Sequence, residues 1–125
     1  MTTTDPTPDT TKEKPAMNQI AFVMPGKVFN VLTGDLLLKD VTVKLTKAQE
    51  TILDKAERVE RSKGFAARFA LTTKQADTLI TLLSETMDSI RQVKGRSHHE
   101  NNSLTYMAKT IDRIAAAQDD AAADS

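Results

Sequence analysis

His98-His99-Glu100 is the one cluster in this chain whose residue types could hold a metal. Adjacent histidines in a loop can point at one ion, but a zinc site needs about three or four well-held ligands. On a helix the two histidines would stand four apart, as in His-Glu-x-x-His, and they do not. The reading is an exposed polar loop, with no metal and no other cofactor. No two carboxylates are placed by spacing in an apolar setting that would separate their pKa values for acid–base work. The sequence contains no Gly-x-Ser-x-Gly elbow, Gly-x-Gly-x-x-Gly turn or Walker loop, and its glycines stand singly. It has no cysteine, hence no thiol nucleophile, thiolate metal site or disulfide framework. These residues predict a protein that is not an enzyme.

The basic residues form two groups. Arg58, Arg61, Lys63 and Arg68 come close together in one region; Arg91, Lys94 and Arg96 gather in another, followed by the two histidines. Such groups can neutralise phosphates, and flanking helix ends can add backbone donors. Against this, Asp54 precedes Arg58 by four and Glu57 precedes Arg61 by four, the favoured orientation for ion pairs on a helix. Arg91 and Lys94 also suit the negative end of a helix dipole. No aromatic residue is read among those cations to stack a base. The 17 basic and 17 acidic residues cancel, so no whole-protein field gathers nucleic acid or anionic lipid. Nucleic-acid or nucleotide-phosphate binding through these seven side chains is therefore the second reading.

The leading one rests on surplus apolar surface. Leu82 lies off the main stripe of its helix, and Leu53 lies beside Ile52. They mark a surface for a protein partner or for a second copy of the chain, giving a homo-oligomer.

The element that must organise these groups runs from Thr72 to Gly95. Thr72-x-x-Gln75 is a capping box. Ala76, Leu79, Ile80, Leu83, Met87, Ile90 and Val93 follow at helical spacing, and Gly95 offers a left-handed residue past the end. Such a helix is about 33 Å long, the width of a small domain. A second box, Thr46-x-x-Gln49, opens a helix through about Arg61. Ser62 then caps a short helix on which Phe65 and Phe69 share a face and wedge the corner. A final helix is expected from Asn102 or Ser103, paired antiparallel with the central one.

Ahead of the helices, Ile20–Met24, Lys27–Leu32 and Leu36–Leu45 favour strands. Pro25-Gly26 suits a type II turn, and the face pattern slips at Lys39-Asp40, where a bulge fits. The fold expected is α+β: a β-meander of about three strands over residues 18–45, then a helical part of three to four helices over 46–117. Residues 1–17, rich in Thr and Pro, and the acidic 118–125 are expected to be flexible tails. The first residues do not form a basic start and apolar run, and no stretch approaches the roughly eighteen apolar residues of a membrane span. A small soluble cytoplasmic protein without membrane association is the expectation.

Phe65-Ala66, then Leu71-Thr72-Thr73-Lys74-Gln75 and Leu79, is similar to a short helical pattern in assorted phage and plasmid proteins. The likeness covers under twenty residues. It implies a bacterial or phage accessory protein and carries no fixed activity.

Overall fold

A computed structural model describes residues 19–36, 38, 41 and 43–123. The expectations for the N-terminal tail, for the Lys39-Asp40 bulge and for residues 124–125 lie outside them. The elements are β1 (Gln19–Pro25), α1 (Gly26–Thr33), α2 (Lys47–Leu53), β2 (Glu57–Arg61), β3 (Gly64–Thr72), α3 (Thr73–Arg91) and α4 (His98–Ala123). The architecture is α+β, as expected, with a three-stranded antiparallel sheet and four helices. Ile20–Met24 is a strand as expected, but the other two come from 57–61 and 64–72, and the described residues of the expected strand over Leu36–Leu45 form none. The three strands lie in the order β1-β3-β2, with β3 central and the other two at the edges.

Three corrections follow, each with a physical cause. Phe65–Leu71 is a strand and not a short helix. Residues four apart share a face at a period of two as well as at 3.6, so Phe65 and Phe69 could not distinguish the two. In β3, Ala67, Phe69 and Leu71 turn into the core while Arg68 and Ala70 face out. Each inward residue opposes an inward residue of β1: Met24 with Ala67, Phe22 with Phe69, Ile20 with Leu71. The rings of Phe22 and Phe69 stack 5.3 Å apart. Cross-strand pairs of this kind are the unit of sheet stability.

Residues 57–61 are also a strand, so the helix opened by Thr46 stops at Leu53. The helical pairs Asp54–Arg58 and Glu57–Arg61 do not form. Glu57 instead sits directly opposite Arg68 and pairs with it, and Arg58 pairs with Glu60 at 2.6 Å. Only Val59 of β2 is half-buried. Charged side chains on both sides suit an edge strand, where they discourage further pairing.

Lys27–Leu32 forms most of α1 instead of a second strand. Val28, Val31 and Leu32 are buried at helical spacing, as is Gly26, and Gly34 closes the helix at φ +86°. Pro25-Gly26 is accordingly the entry to a helix and not a type II turn. Pro25 is the N-cap residue, and the helix begins on Gly26. Glycine is needed there because the chain passes close to β3: a Cβ would lie 2.9 Å from two ring atoms of Phe65 and nearer still to its carbonyl oxygen.

The central helix behaves as its sequence indicated at the start and differs at the end. The Thr72–Gln75 box is complete in both directions, at 3.0 and 3.1 Å. The helix ends at Arg91, and Gly95, at φ +67°, belongs to the turn leading into α4. Ala76, Leu79, Leu82, Leu83, Met87 and Ile90 join one core with Ile20, Phe22, Met24, Phe69, Leu71, Met107 and Ile114. Helix α4 packs along β1 and against α3, with α1 lying against β3 and α4. The α3–α4 pair is antiparallel: Gln118, far along α4, donates to the Thr73 carbonyl and to Asp77 at the start of α3. That tie is one reason the helix continues to Ala123 where fraying from Gln118 was expected. No helix among the described residues is long and apolar enough to cross a membrane.

Candidate functional site

The start of α4 is a further element that the sequence pattern misplaced, and it builds the site. The cap is neither Asn102 nor Ser103 but Ser97. Its hydroxyl accepts from the Glu100 N–H at 3.3 Å, and the Glu100 Oε1 accepts from the Ser97 N–H at 2.8 Å. This is a third capping box, and Ser97-x-x-Glu100 was the signal that could have found it. It draws residues 98–100 out of the supposed polar loop and into a helical turn. Glu100 turns inward, with 2% of its surface exposed, and its Oε2 atom has no hydrogen-bond partner.

That turn forms one wall of a cavity of about 380 Å³, opposite the start of α1 and the segment after it. Val28, Leu36, Leu38 and Tyr106 give it apolar surface; Glu100, Asn102 and Ser103 give it polar groups. A second cavity of about 390 Å³ adjoins it, with Lys27 and Tyr106 lining both. This one lies between α1 and the β2–β3 turn, where Gly64 holds φ +97°. Arg61, Lys63, Phe65 and Asn30 line it. Volumes of this size fall within the range of sites that take small ligands or the side chains of a partner.

The seven basic residues divide according to this geometry. Arg61 and Lys63 line the second cavity, joined there by Lys27, which sequence reasoning had not selected. Arg58 and Arg68 are committed to the ion pairs with Glu60 and Glu57. Arg58 also lies 4.0 Å above the Phe65 ring, so an aromatic does stand among these cations. In the second group, Arg91 pairs with Asp88 at 3.1 Å. Arg96 folds back onto the Arg91 carbonyl at 2.9 Å and Asn101 Oδ1 at 3.0 Å. Lys94 is exposed beside them.

Leu53 and Leu82, expected to form a self-association or partner surface, are instead core residues, 4% and 2% exposed. The reason is the number of elements around α3. Helix α2 packs on it from one side, and α4 and β3 from others, so apolar positions off the main stripe are covered too. Among the described residues, the large apolar side chains left exposed are Leu36 and Tyr106, at 39% and 38%. Both line the first cavity. The ring centroids of the two histidines are 6.3 Å apart, and His98 bonds Asn102 at 3.1 Å. No family model matches the chain, and no curated protein or solved structure shows significant similarity to it.

Proposed function

We propose that this is a non-enzymatic binding protein that receives a segment of a protein partner in the groove between α1 and the first turns of α4. One observation carries the reading. The large apolar side chains exposed among the described residues, Leu36 and Tyr106, both border the first cavity. Exposed apolar groups gathered around a concave site, with a few polar groups among them, are the usual make-up of a recognition surface. A second copy of the chain would qualify as such a partner, with Leu36 and Tyr106 taking the place of Leu53 and Leu82.

The test is capture by the tagged full chain from nuclease-treated lysate, comparing wild type with Leu36→Lys and Tyr106→Ala. A partner retained in fixed proportion by wild type and lost by both variants supports the reading. Capture that both groove variants leave untouched refutes it. Light scattering on the purified chain reports whether the partner is another copy.

A second reading, phosphate or nucleic-acid binding, is favoured by one observation of its own. Lys27, Arg61 and Lys63 line the second cavity together with Phe65 and Tyr106. Cations beside aromatic faces are what single-stranded nucleic acid requires. Its mark would be affinity that falls steeply with salt, by a logarithmic slope of about −0.7 to −0.9 per phosphate neutralised.

A further inference from the structure

We infer that Glu100 is the specificity element of this groove and that its free carboxylate oxygen receives a cationic side chain, lysine or arginine, from the partner protein. The inference rests on the protein-partner reading of the groove and names the chemistry the partner must bring.

The argument starts from the other capping boxes. Thr46 and Thr72 are both answered by a glutamine, Gln49 and Gln75, whose Oε1 accepts the cap N–H at 2.9 and 3.0 Å. Glu100 does the same work for Ser97 with Oε1 alone, at 2.8 Å. A glutamine would therefore suffice for the cap, and the second oxygen of Glu100 is surplus to it. That oxygen is buried, unpartnered, and part of a side chain that lines the first cavity. A buried carboxylate oxygen without a donor is costly, because its lost hydration has no replacement. The dipole at the start of α4 offsets some of this cost, but it supplies no hydrogen to Oε2. Lys27, a cation lining the same cavity, leaves Oε2 unpartnered.

The lining of the cavity decides which donor fits. Val28, Leu38 and Tyr106 give the cavity apolar and aromatic walls, and Ser103 and Asn102 line it together with Glu100. An ammonium or guanidinium on an alkyl stem matches this arrangement. Its charge meets the carboxylate, its stem lies against the apolar wall, and spare N–H groups reach the neighbouring hydroxyl and amide. A neutral apolar side chain would fill the volume and leave Oε2 unsatisfied.

The test uses side-chain mimics on the full-length, isotope-labelled chain. n-Butylammonium and n-butylguanidinium are titrated while amide resonances are followed, with butan-1-ol as the uncharged control of the same stem. Saturable shifts at Ser97–Ser103, Val28 and Tyr106 are expected with both cations and not with the alcohol. Glu100→Gln, which keeps the capping box and replaces Oε2 by a donor, should weaken cation binding by roughly tenfold or more. Equal response to butan-1-ol, absence of saturation, or undiminished binding by the glutamine variant overturns the inference. The comparison of cation with alcohol on wild type holds even if the variant folds poorly. Failure here is separable from failure of the wider reading. Capture lost on Leu36→Lys with no cation binding leaves a protein groove without this specificity. Cation binding with capture unaffected leaves the site and removes the protein partner.

Discussion

Gly26→Ala separates two effects of opposite sign. Gly26 opens α1 at a negative φ, so alanine meets no backbone penalty there. Helix propensity would favour alanine by about 0.5–1 kcal/mol. The surroundings oppose it. The new methyl would stand 2.9 Å from Cδ1 and Cε1 of Phe65 and closer still to the Phe65 carbonyl oxygen. The ring has little freedom to yield, since Phe29 meets it edge-on at 6.2 Å and Arg58 covers it. The carbonyl has less, because the next residue, Ala66, is registered against Pro25 in the sheet. The β1–α1 junction must therefore open by the better part of an ångström. Overpacking of this kind costs about 1–3 kcal/mol, and the backbone obstacle places it at the upper end. Net of propensity, the variant should lose about 2 kcal/mol. For a domain near a hundred residues that is roughly 8–16 °C in Tm. Urea unfolding followed by circular dichroism should show a lower midpoint at an unchanged slope. Gly34→Ala is the companion measurement. Nothing lies within 4 Å of its would-be Cβ, so its loss comes from φ +86° alone, about 1–2 kcal/mol. A Gly26→Ala protein as stable as wild type would refute the close approach of α1 to β3.

Three further outcomes are expected. Leu83→Ala, at the fully buried centre of α3, should cost about 2–5 kcal/mol in urea unfolding, while Thr72→Ala should cost about 0.5–2 kcal/mol through the lost cap. Arg68→Ala should change stability by under about 1 kcal/mol, since both partners of its pair with Glu57 are more than half exposed; a larger loss would mean that β2 depends on the pair. The Arg61→Glu/Lys63→Glu protein should retain its protein partner, and wild type should show no measurable binding to random single-stranded DNA or RNA at physiological salt. Tight, salt-sensitive binding that the double variant abolishes would reverse the order of the two functional readings.

The local devices of this chain were written in its sequence. The Thr46 and Thr72 boxes each satisfy backbone donors with a side chain three residues away, so no tertiary contact is needed to read them. The stripe of α3 was legible for the same reason: nineteen helical residues sample the period several times over. The Ser97–Glu100 box was equally local, although the polar run from Arg96 to Asn102 reads as a loop. Short segments were another matter. In 57–71, a charged run and two phenylalanines four apart satisfy both periods; only pairing with β1, some forty to fifty residues earlier, makes a strand of β3, and β2 in turn pairs with β3. Leu53 and Leu82 could not be placed by a stripe, because their burial depends on how many elements surround α3. The groove was beyond sequence reasoning altogether. Lys27, Leu36, Glu100 and Tyr106 meet there because α1 and α4 pack on the same sheet. Capping and periodicity act over a few residues and stay in the sequence; burial and concavity arise between distant segments and are decided only when the chain closes on itself.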